Sequence, residues 1–501
     1  MKIILVVEEI VLNKEDHWKL FVANKLTDLL CECDVCLLPI PALPFTKNES
    51  CLKQIHYKYE GKGTQLNKKT WPIGSEKIIA STQVNNEDLL VNLSSVQVEE
   101  LGKKFKAVVW EVLYHEQPIQ EFQHVGEYEI IHRLPTIDIS LVKYTHDNGM
   151  KLLDVARHNP HYSAVRNFQN VVYTLHLMIA KNIRKQNTPC DFVTANKNME
   201  FNFLSYACSF YKSVFEKILG SIVVRLNSNM YGERWTVGIS KGVFLHDGIG
   251  NLVVHGELKG EFWADPFLYR NPNNNKLYLF VERFPFKEKK GVISCGEVDE
   301  LLHINNMHDV LVKPYHLSYP HIIEEEGNLY MMPESSANHQ LEIYQCMQFP
   351  DKWEIFSIGL KGKNLTDTVY YRDSNGERWL FATISDSEVM MYCTVMNIYH
   401  VDSLTLKEIT PHRQNPIIID SSIARNGGRI FEHDGCVYRV AQNNTYGEYG
   451  HGTSIRKITK LTLDEYEEEE VARLDGGDIP GFKFNHQLCQ IDDAFVIDIR
   501  K

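Results

Sequence analysis

In the second half of the chain, carboxylates, arginines, histidines and aromatics recur at equivalent places in a repeated strand–turn–strand unit. Asp265 stands in FWADPF, His316 and Tyr319 in YHLSYP, and Asp367 in LTDTVY. Arg425 and Arg429 stand in ARNGGRIF, and Asn485 and His486 in FNHQ. The ends of the following strands add Glu282, Glu334 and Gln442. Converging on one funnel, this mixture suits a sugar. Carboxylates bind hydroxyls, aromatic faces stack on the ring, and two carboxylates can perform acid/base cleavage of a glycosidic bond. Each residue also has a structural alternative. Asp265 in WADP can be a turn residue capping backbone N–H groups. Glu334 can be a hydrogen bond between repeats, and His486 a satisfied inner-strand histidine. Glu282, followed by Arg283, can be half of an ordinary ion pair.

What must position these residues is the repeat itself. LYLFVE (Leu277–Glu282), LYMMPE (Leu329–Glu334), RWLFAT (Arg378–Thr383), VYRVAQ (Val437–Gln442) and AFVIDI (Ala494–Ile499) each follow a polar turn, and each turn follows another apolar strand. The spacing of roughly 50–60 residues suits one four-stranded blade. Five units predict an all-β five-bladed propeller over residues 231–501, with Glu233–Ser240 supplying a strand that closes the ring. The innermost strands would line a central channel, which is where the polar residues above belong.

The first part has a different texture. Lys2–Val7, Val35–Ile40, Asp88–Leu93 and Ala107–Leu113 read as strands, and Ile137–Tyr144 as a half-exposed one. Trp18, Phe21, Val22, Leu26, Leu29 and Leu30 mark one helical face. Val96–Lys104 reads as a helix. Ser163 is an N-cap for another helix, buried through Phe168, Val171, Val172, Leu175 and Ile179. Strands alternating with helices predict an α/β domain with a largely parallel sheet over residues 1–184. Residues 185–230 are expected to be a linker and connecting helix.

Three further features have bland readings. Cys31, Cys33 and Cys36 form a C-x-C-x-x-C run without a fourth zinc ligand at motif spacing, so packed thiols are expected. The acidic run Glu465–Glu470 reads as a solvated turn or edge-strand guard. Tyr446–Gly452 is a glycine- and tyrosine-rich loop, either a sugar-stacking loop or a hairpin tip.

The formal net charge of −12 argues against a nucleic-acid partner. Hydrophobic residues at 44% and charged residues at 24% describe an ordinary globular protein. Charges interrupt the longest apolar stretch, Phe201–Leu226, so no membrane span is expected. Eleven cysteines and no secretory signal imply reduced thiols and a cytoplasmic location.

The motifs FWADPFLYR, PYHLSYPHII, MMPESSANHQLEIYQC, LTDTVYY, GRIFEHDG and KFNH, in that order, resemble a propeller domain of bacterial polysaccharide gene clusters. The same domain precedes the glycosyltransferase domain of plant glucosamine inositolphosphorylceramide transferases. It is similar, more distantly, to five-bladed arabinanase, fructosidase and furanosidase hydrolases. The resemblance implies Asp265 as base or nucleophile, Glu334 as the candidate acid, and Asp367 as a residue that orients the sugar or tunes a partner. His316, Tyr319, Arg425, Arg429, Gln442 and His486 would bind substrate. Arg429 would take a carboxylate or phosphate. His486 matches a position from which some of these enzymes hold a channel water or calcium ion, so Ca2+ in the channel is possible; no metal ligand set is assigned.

In the same composite proteins the first domain is similar to formyltransferases. WEVLYHEQPI (Trp110–Ile119) and DLLVNLS (Asp88–Ser94) carry that resemblance. Formyl transfer needs an Asn, a His and an Asp, yet no His occurs between residues 57 and 114. Asn92 and Asp138 remain, and His115 is the alternative histidine. The expectation is a formyltransferase-like, catalytically degenerate domain. No glycine-rich loop follows the first strand, which speaks against dinucleotide binding. The functional expectation is a carbohydrate-active protein of surface-polysaccharide metabolism. It would act on a glycan, glycolipid or nucleotide-sugar by glycoside hydrolysis or transfer. The alternatives are a non-catalytic glycan-binding propeller and a sugar N-formyltransferase.

Overall fold

The computed structural model describes all residues except 15–16, 42–55, 59–70, 72–73, 75–76, 120–124, 186–189, 192–201, 227–233, 257 and 386–391. Most of the expected linker, 186–189 and 192–200, lies outside the described residues. The chain divides into two compact units, Met1–Ser213 and Val214–Lys501.

In the first unit, strand Lys2–Glu8 pairs parallel with Asp34–Ile40 on one side and Leu89–Asn92 on the other. Leu89–Asn92 pairs parallel with Val108–Tyr114. Beyond that strand the sheet turns antiparallel: Ile137–Thr145 pairs with Val108–Tyr114, and Gly149–His158 folds back on Ile137–Thr145. The sheet is therefore mixed rather than largely parallel. For Gly149–His158 the cause is the turn before Gly149 (φ +65), which is too short for the crossover that parallel strands need. Gly149–His158 escapes the sequence reading because nearly every position on it is half-buried, leaving no alternation. Helix Ala164–Lys185 starts as expected, with the Arg166 N–H donating to Ser163 Oγ at 3.2 Å. It packs on helix Trp18–Leu29 through Trp18–Phe168 and Phe21–Tyr173 ring contacts. Of the cysteine run, only Cys36 is a packed thiol. Cys31 is exposed in the turn before its strand.

The second unit is five antiparallel sheets of at least four strands. Their first strands are Glu261–Arg270, Ser318–Glu325, Asn364–Arg372, Phe431–His433 and Leu488–Ile491. In the last blade, Ala494–Arg500 pairs with Trp235–Lys241, so the ring is closed by strands from both ends of the unit, as the repeat predicts. The core between blades is built from alternate residues of these strands, such as Phe267, Phe280, Met331 and Phe381.

One detail of the repeat positions the polar residues. In the first three blades the innermost strand loses register between Ala264 and Phe267, between Ser318 and His321, and between Thr366 and Val369. At each break two residues oppose one, the definition of a β-bulge. The leading residue of each bulge has a positive φ: Asp265 at +51°, Tyr319 at +47° and Asp367 at +45°. Non-glycine residues adopt this region at a cost of about 1–3 kcal/mol, and such strain collects at functional sites. The kink turns each N–H out of its own ladder and toward the neighbouring blade.

Candidate functional site

Those displaced N–H groups are met by carboxylates. The Asp265 N–H donates to Asp498 Oδ2 (3.1 Å), the Tyr319 N–H to Asp265 Oδ2 (3.1 Å), and the Asp367 N–H to Glu334 Oε2 (3.2 Å). Asn426 Nδ2 then donates to the Asp367 carbonyl at 2.8 Å. The carboxylates thus stitch blade to blade around the channel. The capping alternative for Asp265 and the inter-blade alternative for Glu334 both describe real contacts.

Two clusters stand on this frame. In one, His486 Nε2 lies 2.8 Å from Asp265 Oδ1, and its Nδ1 makes an off-axis ion-pair contact with Asp498 Oδ2 at 3.1 Å. Asp498 Oδ1 also accepts from the His486 and Gln487 N–H groups. In the other, Arg425 grips Asp367 through Nε (2.5 Å) and a terminal nitrogen (3.3 Å) and stands 3.8 Å from Glu334. Gln442 Nε2 donates to the same Asp367 oxygen at 2.6 Å. Tyr449 joins the two clusters. The Arg425 guanidinium lies 5.2 Å from its ring centre, and the His486 ring 5.1 Å away. Trp235 packs edge-on against His486 at 4.3 Å.

Burial and charge drive the acids apart. Burial would raise the Asp265 carboxyl, but the hydrogen bond and charge of His486, with Arg425, hold it below the usual range. Burial lowers His486, yet Asp498 and Asp265 lift it above the ordinary imidazole value. Glu334 is pushed well above its normal range by burial and by the Asp367 charge, against the pull of Arg425. Glu282 rises likewise through burial and the charges of Asp265 and Glu334. Asp498 rises to about 6 through burial, despite His486. The surroundings therefore favour the ionised form of Asp265 and disfavour ionisation of Glu334 and Glu282. Separating two acids by environment is how one site obtains both a proton donor and a base.

The donor set does not fit a channel calcium ion held by His486. Both ring nitrogens face carboxylates at 2.8 and 3.1 Å, and its raised pKa favours the imidazolium. Calcium takes roughly six to eight oxygen ligands, and the nearby carboxylate oxygens already accept backbone N–H groups.

Asp265, Glu334, Asp367, Arg425, Gln442 and His486 come together. His316 stands at the edge of the group, its Nε2 3.4 Å from Glu282 Oε1 and its Nδ1 accepting from the Gly291 N–H. Tyr319 plays another part: fully buried, its hydroxyl donates to the Gly428 carbonyl (2.9 Å) and accepts from the Gly428 N–H (2.8 Å). It braces one blade to another. Arg429 donates to the Leu268 carbonyl at 2.9 Å and lines a separate cavity of about 570 Å³ with Tyr269, Arg270, Glu324 and Glu432. Asn485 turns away to Thr453 and Leu474.

Asp498 and Trp235 escape the sequence reading, and Glu282 does not form the ion pair with Arg283 that is its structural alternative. Arg283 pairs with Glu261 and Asp309, which leaves Glu282 facing the acids. Its signal was positional: Glu282 opposes Ala264, and Glu334 opposes Ser318, each the residue before a bulge. Asp498 is a lone carboxylate in the apolar run AFVIDI. Trp235 and Tyr449 come from the closing strand and the tyrosine-rich loop. The acidic run also differs from expectation. Glu468 is buried and accepts from Arg439 (2.7 and 2.8 Å), Arg456 (2.5 Å) and Tyr466 (2.5 Å).

In the first unit the formyl-transfer candidates lie in three separate networks. Asn92 Nδ2 donates to Glu111 Oε1 (2.7 Å) and the Val96 carbonyl. His115 pairs with Glu129 at 2.6 Å. Asp138 accepts from Thr136 and stands 3.6 Å from Arg157 on the surface.

A family model described as the N-terminal region of glucosamine inositolphosphorylceramide transferase 1 matches residues 251–475. The transferase of that name from Arabidopsis thaliana is 34% identical over 218 residues, which are 43% of this chain and 28% of the relative. Its counterpart from Oryza sativa subsp. japonica is 34% identical over 221 residues, 43% of this chain and 29% of the relative. The chain thus spans less than a third of those relatives. Among solved structures, the β-xylosidase RS223 aligns with 48% of this chain and 92% of its own, at 10% identity and a TM-score of 0.35. An exo-β-1,3-galactanase from Phanerochaete chrysosporium aligns with 53% and 64%, at 11% identity and a TM-score of 0.35. Likenesses at that level carry no argument here; the blade count rests on the strand pairing.

Proposed function

We propose that the propeller is a carbohydrate-active domain whose channel takes a sugar of a glycan or glycolipid precursor. Glu334 serves as the proton donor and Asp265 as the ionised carboxylate in glycoside hydrolysis or transfer. The observation that carries this reading is the gathering of Asp265, Glu334, Asp367, Arg425 and His486 at the channel with Tyr449 beside them, the Asp265 and Glu334 carboxyls being shifted in opposite directions by their surroundings. Arg425 orients Asp367 and presents a cationic face, and Tyr449 offers a ring for stacking on the sugar. The names of the curated relatives, which print a glucosamine and an inositolphosphorylceramide, support a glycolipid precursor. A reducing, cytoplasmic setting belongs to the same proposal. In the first unit, the separation of Asn92, His115 and Asp138 supports a formyltransferase-like but inactive domain.

The test is a glycan and glycolipid screen of wild type, Asp265→Asn and Glu334→Gln, with mass spectrometry of each hit. Turnover by wild type, lost in both variants while binding persists, is expected. Equal turnover by the variants would refute the assignment. Binding by all three without product would favour a glycan-binding module, a reading for which the complete engagement of Asp265 and Asp367 by internal partners speaks.

A further inference from the structure

Away from the channel, three metal-ligating groups converge at the seam between the fourth and fifth blades. His433 ends the first strand of the fourth blade, and Asp434 follows it in the tight turn to Cys436. That turn has Asp434 at φ +48° and Gly435 at +70°, the left-handed pair typical of a two-residue hairpin. His246 lies on the short helix Phe244–Asp247, which follows the closing strand Trp235–Lys241. His246 Nε2 and His433 Nε2 are 2.8 Å apart. Asp434 Oδ2 lies 3.5 Å from the first and 3.4 Å from the second.

We propose that His246, His433 and Asp434 form a zinc site. Three donor atoms around a tetrahedral zinc ion, bound at about 2.0–2.2 Å, stand about 3.3–3.6 Å apart. Two edges of the observed triangle match that spacing, and the His–His edge needs to open by about 0.5 Å. Both imidazoles turn Nε2 inward, and neither Nδ1 has a protein partner among the described residues. With each proton on Nδ1, two imidazole nitrogens and a carboxylate oxygen gather in one small cluster of donor atoms, which a cation satisfies. Two imidazoles and one carboxylate suit zinc, or cobalt as its surrogate, rather than the oxygen-seeking calcium or magnesium. Three protein ligands leave a fourth position for water or an anion. The ion would tie the hairpin of the fourth blade to the segment that closes the ring.

Untagged protein, dialysed against Zn2+ and then against metal-free buffer, should retain one zinc equivalent by elemental analysis. His246→Ala and His433→Gln should each lose it, with far-UV circular dichroism unchanged. Thermal unfolding of wild type should shift upward with Zn2+, and that of His246→Ala should not. Co2+ loading reads the ligands directly on wild type. Tetrahedral visible bands without near-ultraviolet thiolate charge transfer are expected, and thiolate bands would assign the metal to Cys31, Cys33 and Cys36 instead. Failure of wild type to retain zinc, or equal retention by a His246→Ala/His433→Gln double variant, would overturn the proposal and leave an ordinary His–His hydrogen bond.

Discussion

Replacing Glu468 by glutamine tests whether an acidic surface run conceals a structural anchor. Burial would raise this carboxyl, but the charge and hydrogen bonds of Arg439, with Arg456, bring it down from 4.5 to about 2. At about 1.36 kcal/mol per pH unit, that difference corresponds to about 3 kcal/mol at neutral pH. A second route gives the same size: removing one partner of a buried ion pair costs about 3–5 kcal/mol, because the other charge is stranded. Arg439 would be that charge, and it has no exposed surface. The sign follows from a lowered carboxylate. Its contribution is present above the unfolded value near 4.5 and is lost as pH falls toward 2. Glu468→Gln should therefore lower the melting temperature of the propeller by on the order of 5–10 °C at pH 7. The gap to wild type should narrow as pH falls below about 4.5 and close only near pH 2. Calorimetry across pH checks both. Arg439 also donates to Asn426 Oδ1, and Asn426 holds the Asp367 carbonyl, so sugar binding should weaken with stability. A loss below about 1 kcal/mol, or a gap that ignores pH, would refute the argument and make the run a solvated edge.

Other outcomes follow from the same frame. Tyr319→Phe strands the Gly428 N–H and carbonyl in the channel wall and should cost about 2–4 kcal/mol in denaturant unfolding while leaving sugar affinity intact. The opposite pattern would restore Tyr319 as a ligand residue. His486 is raised above its unfolded value, so its stabilisation is present below about pH 6.5 and is lost as pH rises through the folded value. His486→Gln should flatten the pH dependence of unfolding on that alkaline side. Arg425→Lys keeps the charge but loses the two-nitrogen grip on Asp367, and titration calorimetry should show sugar binding weakened about tenfold or more.

The repeat was legible because each blade writes the same alternation between polar turns, and the second strands fall where the five aligned segments place them. Several channel residues were legible too, since a carboxylate or arginine inside an apolar strand stands out. What the side chains do was less legible. Tyr319 lies in an inner strand and His486 just before one, yet one braces Gly428 and the other balances two carboxylates. That distinction depends on partners tens to hundreds of residues away. Glu468 was misread for the same reason: its neighbours in sequence are charged, but its partners Arg439 and Arg456 lie on other strands. The mixed sheet of the first unit was hidden by a strand with no periodicity.

The way the ring closes ties the site to the synthesis of the fifth blade. The Phe244 N–H donates to Gln490 Oε1, 246 positions along the chain, and the strand carrying Asp498 pairs with Trp235–Lys241. While a ribosome makes this unit, the first strand waits with an open edge through the translation of every blade between. Asp498 and His486 belong to that final blade, and Trp235 to the strand it pairs with. A nascent or clipped chain thus has Asp265 without the imidazole that helps hold it ionised and without the carboxylate that accepts its N–H. Competence at the channel arrives only when the fifth blade pairs with Trp235–Lys241.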